Sequence, residues 1–296
     1  MSLTMESPAA LDAETERRFA RKEITIARKY IGPFPIFMAV WCFANLACWL
    51  ALWPLVIGGI IPLWLGFIVA TLNVILCYLP SHEAQHSNFA TPGAPLRWLN
   101  ELIGYVSTIP LVLPFKIARV THMLHHKHTN DPDLDPDYAV KAGSWIGAVW
   151  TTVRRGQPGY PNAYNKVLEA HADDPAVKQA GFEGLVQTLS YWTILTALAW
   201  SGYALEAAFL WWLPRHIGLN YISLLLSWWP HHPMVEKGRY RNTRSFSYRW
   251  GNVFAMGMEH HIIHHLHPGM PLNRNAAAFR EMRPILEARG CRLEDH

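Results

Sequence analysis

Residues 33–80 read "PFPIFMAVWCFANLACWLALWPLVIGGIIPLWLGFIVATLNVILCYLP", 48 positions without one Asp, Glu, Lys, Arg or His. A helix rises about 1.5 Å per residue and the hydrocarbon core of a bilayer is about 30 Å thick, so this run is long enough for two crossings. Pro54, Gly58, Gly59 and Pro62 fall near its middle, where a turn is needed. The stretch therefore predicts a membrane hairpin with spans over about 33–55 and 60–80.

A second uncharged run, 184–205, is followed by 207–230, which is interrupted only by Arg215 and His216. It predicts a second hairpin whose turn is open: a turn near Glu206 leaves Arg215 inside, and a turn near Pro214 leaves Glu206 inside. An ionisable group at membrane depth is costly and tends to line a cavity. Between the hairpins, 102–115 is apolar for only 14 residues, too short for a span and suited to a re-entrant or interfacial helix. The expected fold is an all-α integral membrane protein with four transmembrane helices in two hairpins, that shorter helix, and a cytoplasmic histidine-rich cap.

Composition agrees, since 51% hydrophobic residues, 14 Trp and 16% charge are unusual for a soluble enzyme. Four spans put both termini and the long central segment on one side, with 25 of the 26 Lys and Arg residues. That side is expected to be the cytoplasm and the membrane an inner or plasma membrane. Residues 1–32 form a basic cytoplasmic segment without an apolar signal core, either an interfacial helix or a solvated charged one, and 33–296 form a single membrane domain. A net charge of +4 is accounted for by these flanking residues and implies no nucleic-acid partner. Cys42, Cys48, Cys77 and Cys291 form no C-x-x-C pair and suggest neither a disulfide framework nor a thiolate metal site.

The chemistry lies in the histidines. "HEAQH" at 82–86 presents His82 and His86, "HMLHH" at 122–126 presents His122, His125 and His126, and "HIIHH" at 261–265 presents His261, His264 and His265. Positions i, i+3 and i+4 share one helix face, so each box aims two or three imidazoles the same way, as a metal site requires. "WWPHHP" adds His231 where the second hairpin ends. Neutral imidazole suits zinc, copper, iron and nickel alike.

"HEAQH" is also the H-E-x-x-H pattern of zinc metalloproteases, in which Glu83 would be the general base. A single zinc needs only three protein ligands, which would leave both H-x-x-H-H boxes unexplained, whereas a two-metal site uses about this many. A metal transporter or non-catalytic metal-binding membrane protein is a further alternative, but the first hairpin lacks the ionisable residues its pathway would need. Asp131, Asp133, Asp135 and Asp137 do not make a calcium loop, since Pro136 stands where its glycine should be. They either accept N–H bonds from ligand imidazoles or only shape a turn.

From Pro33 onward the three boxes resemble the membrane-bound fatty acid desaturase and hydroxylase family in order, spacing and placement beside two hairpins. The second half, through "HHKHTNDPDLDPD", "WWPHHPMVEKGRYRNTR" and "HIIHHLHPGMPLNR", is most similar to cyanobacterial-type β-carotene hydroxylases. The resemblance implies a non-haem centre of two iron ions that uses O2 to oxidise an unactivated C–H bond of a lipid, by acyl-chain desaturation or hydroxylation. A carotenoid β-ring is the alternative substrate. It implies His82, His86, His122, His125, His126, His261, His264 and His265 as ligands and His231 as a ninth. His128, His232, His260 and His267 match no ligand position. Ser227 stands where some acyl desaturases have a metal-assisting Asn. No electron-transfer module is visible, so the resemblance implies a separate ferredoxin- or cytochrome-type donor protein.

Overall fold

A computed structural model of the chain describes residues 11–155, 163–248 and 251–295; the first ten residues of the basic N-terminal segment lie outside them. The chain divides into two compact units, Phe34–Trp228, and the stretch up to Pro33 together with Trp229–His296. Helix α1 (Ala13–Tyr30) belongs to the latter.

In the larger unit, α2 (Ile36–Ile57) is followed by α3 (Leu63–Leu76), which continues through Cys77 into α4 (Tyr78–Gln85). The runs Ile36–Ile57 and Leu63–Gln85, 22 and 23 residues, are each long and apolar enough to cross a membrane. The chain reverses between them at Gly59, whose φ of +71° suits a residue without Cβ. Two buried amides clasp the pair: Asn45 Nδ2 donates to the Asn73 carbonyl at 2.9 Å, and Asn73 Nδ2 donates to Asn45 Oδ1 at 2.8 Å. The expected span at 60–80 is thus extended, and the first histidine box lies on the same helix.

A third apolar run covers 57 residues, Pro175–His231. Asp174 caps its start by accepting the Ala176 N–H at 2.8 Å, and Pro175 occupies the first turn. It comprises α9 (Pro175–Leu198), α10 (Ala204–Ala207), α11 (Leu213–Ile222) and α12 (Trp229–His231), with wider helical turns between them. A straight helix of that length would reach about 85 Å. Instead Gly202, at φ +94°, breaks it. The chain doubles back there, because the rings of Tyr191 and Trp211 lie 5.0 Å apart although twenty positions separate them. The reversal therefore falls at Gly202, before either position expected from the sequence. Glu206 sits half-buried just past the bend, and Arg215 lies within the second arm, its guanidinium 5.4 Å from the Tyr191 ring centre.

Residues 102–115 do not form the single short helix expected of them. α5 (Arg97–Ser107) ends before Pro110, and α6 (Phe115–His128) begins only after Pro114, since neither proline can donate to a helical ladder. The intervening backbone is buried through Leu111 and Val112, and the Pro110 carbonyl accepts from Trp211 Nε1 at 3.0 Å. Irregular backbone is tolerated at membrane depth where protein surrounds it and satisfies it in this way. α7 (Trp145–Arg155) and α8 (Ala163–Ala170) follow, and Thr152 and Ser223 bond through their hydroxyls at 2.7 Å.

The smaller unit is built on α1, which Asp12 caps by accepting the Thr15 N–H at 2.8 Å, and on α15 (Leu272–Ala288). Ile26 and Ala27 of α1 share a buried core with Phe279, Met282 and Leu286 of α15 and with α14 (His261–Leu266). Ile26 and Ala27 are thereby occupied within the protein, while Arg17, Arg18, Arg21, Lys22 and Arg28 are exposed together with Ile24. α13 (Gly251–Phe254) is a single turn. The unit also departs from an all-α fold, because β1 (Arg244–Ser247) pairs in parallel with β2 (Arg292–Asp295), with Arg244 opposite Arg292.

Candidate metal centre

His82 is on α4, His86 is at its C-terminal cap, and His122, His125 and His126 are on α6. His82, His86 and His122 offer ring nitrogens that all lie within 4.8 Å of one another. His122 Nε2 is 2.9 Å from His86 Nε2, 3.1 Å from His82 Nε2 and 3.2 Å from His126 Nε2. A ring nitrogen has one proton or one lone pair, so these three contacts cannot all be hydrogen bonds. Convergence on a cation satisfies them together.

Burial, with His82 and His125 close by, holds His122 well below the usual imidazole range, hence neutral, the form that binds metal.

His125, on the same helix, donates Nδ1–H to Asp135 Oδ1 at 2.8 Å. That bond fixes the tautomer, with the ring lone pair on Nε2. Burial disfavours the charged ring, but the Asp135 carboxylate outweighs it and raises the His125 pKa. Asp135 also accepts the Asn130 and Asp137 N–H groups, at 2.8 and 2.9 Å. Asp131 accepts from Asp133 N and Leu134 N and shapes the turn. Asp135 thus meets an imidazole, whereas Asp131 shapes the turn. Asp137 accepts from Ser227 Oγ at 2.8 Å.

Other groups brace the first box. Asn100 Nδ2 and Arg119 Nη2 both donate to the carbonyl of Ala84, between the two box histidines, at 3.1 and 3.3 Å, and Glu101 holds Arg119 at 2.7 Å. Neither residue was singled out from sequence, where an Asn and an Arg outside any box give no signal. Glu83 is buried and accepts from Asn88 Nδ2 at 2.6 Å.

In the smaller unit, His231, His261 and His265 likewise offer ring nitrogens within 4.8 Å of one another. His261 Nε2 is 3.0 Å from His231 Nε2 and 3.1 Å from His265 Nε2. His264 neighbours them, its ring 5.2 Å from that of His261. His231 Nδ1 donates to the Asn242 carbonyl at 3.4 Å, a long bond. His260 turns away: Ser245 Oγ lies 2.8 Å from its Nδ1, and its ring stacks on Phe279 at 4.1 Å. Burial pushes the neighbouring Glu259 carboxyl up to about 7. His267 faces Glu23 at 3.1 Å.

Comparison with known proteins decides the family. The family model described as fatty acid desaturase matches residues 58–295. The chain belongs to that family. It is a membrane oxidoreductase that acts on lipid. An sn-1 oleoyl-lipid 12-desaturase of Picosynechococcus sp. is 24% identical over 260 residues, covering 78% of this chain and 70% of the relative. Another, from Anabaena variabilis, is 20% identical over 245 residues, covering 75% and 69%. An sn-1 acyl-lipid omega-3 desaturase (ferredoxin) of Nostoc sp. is 33% identical over 61 residues, covering 21% and 16%. The metalloprotease and metal-transport readings are not favoured by this membership.

Proposed function

We propose that this desaturase introduces a double bond into the acyl chain of a membrane lipid, using O2 and electrons from a separate donor protein. The residues that would hold a pair of non-haem irons are His82, His86, His122, His125, His126, His231, His261, His264 and His265. The observation behind this reading is the crowding of ring nitrogens around His122 Nε2 and His261 Nε2, a set of neutral imidazole donors that suits iron. Bound there, iron supplies the O2 activation that an unactivated C–H bond requires. Two hydrogens leave the chain, and with two electrons and two protons O2 becomes two waters. Asp135 keeps the His125 Nε2 lone pair directed outward, and burial keeps His122 neutral.

The acyl chain is favoured by the relatives, which are named for acyl lipids, and a carotenoid ring finds no support among them. A ferredoxin-type donor is favoured over a cytochrome by the Nostoc relative's name. The fold reading is four spans, the long third run crossing twice, with both termini and the histidines on the cytoplasmic side of an inner or plasma membrane. Reporter fusions after Gly59 and Gly202 should report the side opposite to one after Tyr30; agreement of all three would sink this topology.

The test of activity is expression with a ferredoxin system, location of double bonds in the extracted lipids by mass spectrometry, and metal analysis of the purified protein. The expected result is a new acyl double bond and about two irons per chain. Unchanged acyl chains together with a hydroxylated ring pigment would transfer the substrate to carotenoids, and a chain without iron would overturn the metal assignment.

A further inference from the structure

Glu23 is 2% exposed, although it belongs to a helix whose other charged groups mostly face solvent. It is the hub of a cluster drawn from three segments of the smaller unit. Oε1 lies 3.1 Å from Arg239 Nη2 and 3.1 Å from His267 Nε2. Oε2 accepts from the Tyr240 hydroxyl at 2.9 Å, with Arg289 Nε at 4.0 Å and its guanidinium 4.2 Å over the Tyr240 ring. The same Arg239 Nη2 also donates to the carbonyl of Leu266 at 3.2 Å. Leu266 and His267 directly follow His264 and His265.

The third box needs such support. α14 is six residues long and has no side-chain cap at its start. A helix that short does not hold its own geometry in isolation. Ile262, Ile263 and Leu266 fix one of its faces in the core. Packing of apolar side chains resists displacement but leaves rotation about the helix axis and the position of the last turn weakly defined. The Glu23 cluster pins that last turn through Arg239, which bonds both Glu23 and the Leu266 carbonyl, and Glu23 also faces the His267 ring.

We propose that Glu23 is a positioning residue for the third histidine box, reaching from the N-terminal helix to set the direction of His264 and His265. The inference rests on the reading of that box as metal-binding. It separates Glu23 from the other contacts between α1 and α15, such as Lys29 with Glu281, which join the same helices without touching the box.

The test compares wild type, Glu23→Gln, Arg239→Gln and Lys29→Ala as full-length proteins, well below their unfolding temperatures. The readouts are iron affinity per folded chain and the visible ligand-field spectrum of bound Co(II). Glu23→Gln should weaken iron binding about ten- to a hundredfold and shift the Co(II) bands, as loss of a group that orients metal ligands does. Arg239→Gln should do the same to a lesser degree, and because its side chain is half-exposed it remains informative where the Glu23 variant fails to fold. Lys29→Ala should change neither readout. A folded Glu23→Gln protein with wild-type affinity and spectrum, or wild-type behaviour of Arg239→Gln where only that variant folds, overturns the proposal. Wild-type protein that binds neither metal overturns the metal reading itself, and the inference falls with it.

Discussion

The two histidine clusters reach the same close spacing of ring nitrogens by different means. Around His122, the rings project from long helices, and Asn100 and Arg119 grip the backbone between His82 and His86. Around His261, the rings come from a six-residue helix and a helix end, and a long bond to a backbone carbonyl orients His231. The first cluster is stiff because its elements are long and bonded. The second is stiff because it is packed and pinned. Substitution should therefore weaken them unequally.

The largest effect is expected at the two centres of convergence. His122→Ala and His261→Ala should each lower bound iron and cut desaturation by more than about a hundredfold, read as double bonds formed in extracted lipids. Retained activity in one of them would confine the chemistry to a single cluster. Next comes His231, which stands outside any box. His231→Ala should lower iron and abolish desaturation, whereas His232→Ala should keep most of both, because the ring of His231 lies 4.9 Å from that of His261. The reverse outcome would assign the ninth ligand to the wrong residue.

A sharper comparison concerns the groups that orient the imidazoles. Asp135→Asn removes the anion facing His125 Nδ1 and should cost about ten- to a hundredfold in iron affinity. Asn242→Ala leaves its backbone carbonyl in place and should stay within about threefold, as measured by iron titration. Equal losses would show that a carboxylate orients a ring no better than a backbone carbonyl does. The smallest effect belongs to Glu83→Gln, which should leave iron content nearly intact, since Glu83 lies off the face shared by His82 and His86 and is engaged by Asn88. Its loss of metal would give Glu83 a place among the ligands.

Much of this was legible in the sequence because it depends on local periodicity. Forty-eight uncharged residues fix a hairpin by length alone, and the i, i+3, i+4 spacing puts each box on one helical face. Long-range contacts were not legible. The bend at Gly202 was missed because Glu206 and Pro214 are louder signals than one glycine, although φ +94° needs that residue. Pro110 and Pro114 did announce the break in 102–115, but the apolar run hid it. The parallel pair of β1 and β2 joins segments almost fifty residues apart, each too short to show alternation. Within the site, His260 and Glu23 illustrate the limit. A histidine beside a box and a glutamate more than two hundred positions before one read alike as surface residues until the fold gives them Ser245 and His267 as neighbours.

The paired amides of Asn45 and Asn73 bear on how this protein is made. Each span of the first hairpin has one asparagine that hydrocarbon cannot solvate, and the two side chains bond across to the partner helix. An interhelical bond of this kind is worth about 0.6–2 kcal/mol in a bilayer. A first span that entered lipid alone would expose its amide until the second arrived. Insertion of the two helices as a pair would avoid that exposure. The clasp also has a definite height along both helices, and so fixes the register that carries the first histidine box at the end of the second.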